Sequence, residues 1–154
     1  MKIKTKFFGE IDIDNKKVIN FENGLPGFEC LKNFLFMTDE DEESPFCWLQ
    51  SIDDIDIVFT LFDIFKFLPD YNPSVDIKSL DKLGDSKEED LLIYCIANIP
   101  NNIKDMTINL KAPIVININN NKADQVICNN EEYPIKYYVY KEILGHRSNK
   151  KGGE

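Results

Sequence analysis

Apolar positions along the chain recur in short runs with a period of two, cut by clusters of Gly, Pro, Asn and Asp. That pattern predicts strands rather than helices. Ile3 to Phe8, Glu10 to Ile13 and Lys17 to Phe21 read as strands, with a tight turn at Asp14-Asn15 between the last two. Further strands are predicted over Phe34 to Met37, Pro45 to Ser51 and Ile57 to Phe62. The second half continues with Leu91 to Ile99, Met106 to Leu110, Ile114 to Asn119, Ala123 to Cys128 and Ile135 to Val139. Asp76 to Leu83 departs from this: Ile77, Leu80 and Leu83 fall at helical spacing and Gly84 supplies a stop. A helix this short needs tertiary packing to form.

The connections add detail. Two glycines around a proline in GLPGF (residues 24–28) force a tightly turned backbone, with Leu25 and Phe28 expected to plug the core beneath it. Residues 29–33 read as one helical turn. NNNKAD at 119–124 reads as a hairpin turn. Pro113 interrupts the alternation of TINLKAPIVININ, which fits a bulge or an edge position. Many short strands at this spacing point to an all-β fold, a single antiparallel barrel-like domain with one short helix. A barrel also removes the exposed edges that a chain rich in β-branched residues must avoid. The domain is expected over residues 1–144. Residues 145–154 are polar, contain Gly152-Gly153 and read as a flexible tail.

The chain has 154 residues, of which 43% are hydrophobic. A domain of this size buries roughly 68–70% of its unfolded surface, so a core forms without disulfides or metal. Cys30, Cys47, Cys95 and Cys128 show no CxxC spacing, which leaves a zinc site without support. Cys47, Cys95 and Cys128 sit among apolar residues and read as core thiols. No cofactor is implied. The N-terminus carries no signal-like apolar stretch, and no run approaches the roughly 20 apolar residues of a spanning helix. A cytoplasmic location, with no membrane contact, is the expectation.

Enzyme chemistry has little to build on. The sole histidine is His146, in the tail, and no nucleophile–His arrangement lies in the folded region. There is neither a GxxxxGK phosphate loop nor a GxGxxG after a strand. Pro26 removes a donor from the Gly24–Gly27 turn, which disqualifies it as a phosphate cradle.

Charge is more informative. The net charge is -9, which opposes direct nucleic-acid binding and suits a basic protein partner. From Asn33 to Phe65 there is no Lys or Arg but nine acids: Asp39, Glu40, Asp41, Glu42, Glu43, Asp53, Asp54, Asp56 and Asp63. Folded onto one side, this span makes an acidic face that speeds encounter with a basic partner. The plainer alternative is two solvated hairpin loops. The spacing lacks the glycine and closing Glu of an EF-hand. Phe62, Phe65, Phe67 and Leu68 in LFDIFKFLPDY read either as core or as part of a hydrophobic groove for a partner helix.

Along the chain stand INFENGLPGFE (19–29), PFCWLQS (45–51), the Tyr71-containing segment after IVFTLFD, IANIP (96–100), MTINLKAPIVIN (106–117) and QVI (125–127). Through these runs the chain resembles the FliW family of flagellar assembly factors over nearly its whole length. Their order and spacing are specific, although DEDEE (39–43), the Asn-rich INNNKAD and the tail NKKGGE depart from the family pattern. The resemblance implies a barrel-like domain that binds cytoplasmic flagellin and, when freed, the translational repressor CsrA, relieving repression of flagellin mRNA. A flagellin-dedicated chaperone with little CsrA role is the alternative, and a monomer is expected. On this reading Asp53, Asp54 and Asp56 steer or pair with basic groups on CsrA. Asn109, Leu110, Lys111, Ala112 and Pro113 present an exposed strand edge to a partner, while Phe28 and Trp48 belong to the core.

Overall fold

In the computed structural model, residues 2–84 and 87–145 are described. The strands are β1 (Lys2–Thr5), β2 (Gly9–Asp12), β3 (Val18–Phe21), β4 (Asn33–Thr38), β5 (Phe46–Ser51), β6 (Val58–Phe62), β7 (Leu91–Asn98), β8 (Thr107–Ile108), β9 (Ile114–Asn117), β10 (Lys122–Gln125) and β11 (Tyr137–Tyr138). Every strand expected from the alternation is present, most of them trimmed at one or both ends.

Seven strands close into a barrel in the order β7-β6-β5-β4-β3-β10-β9, with β9 returning to β7. All contacts around the ring are antiparallel except β3 with β10, which run parallel through Asn20 opposite Lys122 and Phe21 opposite Ala123. β8 and β11 extend the sheet beyond β7, and β1 and β2 form a separate hairpin. Closure satisfies the edges that an open sheet would leave bare.

Two large apolar clusters and a smaller one, of Leu83, Val115 and Val126, fill the structure. Ile19, Phe21, Phe34, Leu49, Leu61, Ile114 and Ile116 pack within the ring. Phe62, Ile64, Tyr71, Cys95, Met106, Ile108, Leu110 and Val139 pack where the chain passes over β7 and β8. Cys47, Cys95 and Cys128 are buried thiols, as their apolar surroundings predicted, and Cys30 is exposed.

The expected helix is α1 (Ile77–Leu80), which tightens into a 3-10 turn over Asp81–Leu83. Gly84 ends it at φ 81°. Its apolar side is only partly buried: Leu83 is core, whereas Ile77 is 81% exposed. Residues 140–145 add a helical segment where the strand predicted over Ile135 to Val139 gives out after two paired residues. Residues 29–33 form a turn and the start of β4 rather than a helical turn. Leu25 is buried under GLPGF as expected. Phe28 is 38% exposed instead and meets Phe59 edge-to-face at 5.2 Å. Trp48 is half-buried against Phe8 rather than in the core. Of the 145–154 tail, all but residue 145 lies outside the described residues.

Candidate protein-binding site

The acid-rich span is built around β5. Its loops leave from opposite ends of a six-residue strand, so the two acidic groups lie about 17 Å apart at about 3.3 Å per residue. Of the two readings the sequence offered, one acidic face or two hairpin loops, the chain adopts the loops, one at each end of the strand.

In the first loop the carboxylates of Asp39 and Asp41 fold back on the backbone. Asp39 Oδ1 accepts the N–H of Asp41 at 3.1 Å, and Asp41 Oδ1 accepts that of Glu43 at 3.0 Å. These are Asx turns, the local bonds that make Asp a loop residue. Glu40 and Glu42 are left pointing into solvent. Lys66 clamps the loop from outside, its Nζ donating to the carbonyls of Glu42 (2.9 Å) and Ser44 (3.1 Å). Between loop and clamp lies a cavity of 270 Å³ lined by Asp39, Asp41, Asp63, Lys66, Cys47 and Tyr94 among others. Burial pushes the Cys47 thiol up to about 12, with the Asp63 charge adding and Lys66 opposing. A thiol so protonated is a poor nucleophile.

The second loop holds the three aspartates that were expected to meet a basic partner, and it divides their roles. Asp53 Oδ2 accepts the N–H groups of Lys32 (2.9 Å) and Asn33 (3.0 Å), fixing the start of β4. Partial burial opposes its charge, but these backbone bonds prevail and hold the carboxyl below the usual Asp range. Asp54 Oδ1 accepts the N–H of Asp56 at 3.1 Å. Asp56 has an exposed carboxylate with no hydrogen-bond partner among the described residues. The buried Gln50 side chain donates to the carbonyls of Ser51 and Ile55 and so anchors the turn.

Residues 109–113 contradict the expected exposed strand edge. Leu110 is 2% exposed and Pro113 is buried. The N–H of Asn109 donates to Ile96 O, and that of Leu110 to Pro134 O. Asn109 Oδ1 accepts the N–H groups of both Lys111 and Ala112. The carbonyls of Lys111 and Pro113 accept from Cys128 and Val126. Pro113, having no N–H, ends the bend without leaving a donor unpaired. The segment is an internally satisfied bend between β8 and β9.

A feature that sequence reasoning grasped only in part lies beside α1. Phe65 (38% exposed), Tyr71, Val75, Ile77, Leu80 and Ile93 line an open groove of 710 Å³ with Asp81 and Glu88 on its border. Of the four apolar residues singled out in LFDIFKFLPDY, Phe62 is core, Phe67 and Leu68 are half-buried, and Phe65 faces this groove. No group of three or more His, Cys, Asp or Glu among the described residues is arranged to hold a metal ion.

The sequence profile described as FliW protein matches residues 2–139. The chain belongs to the FliW family. It is 47% identical to flagellar assembly factor FliW of Thermoanaerobacter pseudethanolicus over 149 residues, covering 97% of this chain and 99% of that one. It is 40% identical to flagellar assembly factor FliW of Alkaliphilus metalliredigens, covering 93% and 88%. A crystal structure of the flagellar assembly factor FliW superposes with a TM-score of 0.81 at 36% identity, covering 91% of this chain and 97% of that one. The barrel thus belongs to a FliW fold. No helix among the described residues is long and apolar enough to cross a membrane.

Proposed function

We propose that this FliW-family protein is a cytoplasmic, non-enzymatic partner switch. It binds flagellin and, once flagellin is exported, captures the translational repressor CsrA, so that flagellin mRNA is translated. It works as a monomer and touches neither nucleic acid nor membrane. The observation that carries this reading is the concentration of nine acids between Asn33 and Phe65, in a stretch with no Lys or Arg, eight of them on the loops at the two ends of β5 and the ninth, Asp63, just after β6. An RNA-binding repressor is basic. Exposed carboxylates such as those of Glu40, Glu42 and Asp56 attract it and raise its rate of encounter. The same carboxylates, set beside bound RNA, repel its phosphates and favour release of the message.

A flagellin-dedicated chaperone is the second reading. It is favoured by the open groove lined by Phe65, Tyr71, Ile77 and Ile93, apolar surface of the kind an amphipathic helix covers. Calorimetric titration with the host's CsrA, repeated after saturation with flagellin, separates the two. Tight binding that weakens in the second titration supports the switch. Absence of CsrA binding overturns it and leaves the chaperone.

A further inference from the structure

β11 is the terminal strand of its sheet, paired with β8 on one side only. Alongside it, the helical segment over 140–145 and the 3-10 turn Ile103–Asp105 enclose a groove of 520 Å³ lined by Lys104, Tyr138, Tyr140, Lys141 and Leu144. Its walls are apolar and open: Tyr138 is 63% and Leu144 43% exposed. Both charged residues lining it are lysines. Among the described residues neither ammonium group has an ion-pair or hydrogen-bond partner. Glu142, next to Lys141 in the chain, accepts the phenol of Tyr137 at 2.9 Å, and Asp105, next to Lys104, is exposed; neither carboxylate lines the groove.

In a protein of net charge -9, a groove whose lining carries two lysines and no acid runs against the sign of the chain as a whole. Lysines beside apolar surface lay their stems along it and keep the charge at the rim. A ligand matched to this geometry carries an apolar side chain for the Tyr138–Tyr140–Leu144 floor, flanked by carboxylates for Lys104 and Lys141. We propose that this groove docks an acidic, apolar-anchored peptide segment of a partner protein. Such a segment is repelled by the loops around β5, and a basic partner is repelled by the groove. Partners of opposite charge are therefore sorted to different surfaces. This sorting rests on the two-partner reading above; the groove's preference for carboxylates does not.

The test is a two-dimensional ¹⁵N–¹H NMR titration of the full chain with a short synthetic peptide, Leu and Phe flanked by Asp and Glu. The control peptide has every carboxylate replaced by the corresponding amide. Shifts centred on residue 104 and residues 137–144 are expected, with affinity at least about tenfold lower for the amide peptide and for Lys104→Glu/Lys141→Glu at low salt. The milder Lys104→Gln/Lys141→Gln pair should fall between, provided its spectrum stays dispersed. Equal binding of both peptides, shifts centred elsewhere or no binding overturns the proposal. CsrA titrated into the charge-reversed variant should bind as it does to wild type. Loss of that binding overturns the separation of surfaces, while failure of CsrA to bind wild type bears on the partner switch alone.

Discussion

The phenol of Tyr71 donates a 2.7 Å hydrogen bond to the carbonyl of Leu110, 39 residues later in the chain. Tyr71 leaves the groove beside α1 and ends under the β8–β9 bend, so one side chain ties the candidate groove to the second core cluster. Burial, reinforced by Cys95, holds the phenol well above its ordinary value, and it remains a donor throughout the physiological range. In Tyr71→Phe the Leu110 carbonyl keeps only the weak Cys128 thiol at 3.8 Å. The expected cost is about 1–2 kcal/mol, read as a lower urea midpoint at unchanged slope.

Asp53 makes stability depend on pH in a defined direction. Its carboxyl is depressed in the folded state, so its contribution is present above the unfolded value of 3.8 and is lost as pH falls through the lower folded value. Asp53→Asn should therefore be less stable than wild type near neutrality, and the two should converge on acidification. Parallel denaturant titrations across that range check this. Equal stability at neutral pH would show that the two N–H bonds to Lys32 and Asn33 contribute nothing.

Because Asp53 holds the backbone, reversing its charge would confuse steering with folding. The cleaner variant is Glu40→Lys/Glu42→Lys/Asp56→Lys, whose side chains are exposed. Stopped-flow association with CsrA should slow several-fold at low salt, and the difference should fade once the Debye length drops below about 10 Å, above 0.1 M. Unchanged rates in the folded triple variant would remove these loops from the encounter surface.

Gly24 and Gly27 both have positive φ, 64° and 83°, yet they should respond differently to alanine. A Cβ on Gly24 would lie 2.6 Å from the Cα of Glu29, whereas one on Gly27 meets nothing within 4 Å. Gly27→Ala should cost about 1–2 kcal/mol for its left-handed backbone. Gly24→Ala should cost clearly more, because backbone must move as well. Thermal melts of the two variants side by side decide it.

The four thiols should divide one against three. Cys30 is exposed, while Cys47, Cys95 and Cys128 are buried. Burial also raises Cys47 and Cys95 to about 12. A thiol reagent near pH 8 should label Cys30 in the native protein and all four in denaturant. Mass spectrometry of the labelled peptides reads this directly.

Strand positions were legible because alternation reports burial on one face, and Phe46–Ser51 and Leu91–Asn98 are clear in the sequence for that reason. Registers and surfaces were less so. Leu110 looked available on an edge because the sequence does not reveal that Asn109 caps the bend or that Pro134 and Cys128 arrive to satisfy it. Ile77 fits a helix's buried stripe, yet the helix ends after one turn and only Leu83 reaches the core. The acidic span was plain from composition, and the strand predicted at Pro45 to Ser51 already allowed its division into two loops; which carboxylates turn back on the backbone was not legible. The basic groove had no sequence signal, since Lys104 and Lys141 are 37 positions apart and meet only through β8 and β11.

The parallel contact of β3 with β10 joins residues 20–21 to residues 122–123. During synthesis the β3–β6 meander leaves the ribosome with its outer strand unmatched for about a hundred residues of further elongation. The nascent chain thus carries a bare, β-branched border until its last third appears, the interval in which a strand can be captured by another chain. Ring completion, rather than local hairpin formation, sets how long that vulnerability lasts, because distant pairing is the slow step of β folding.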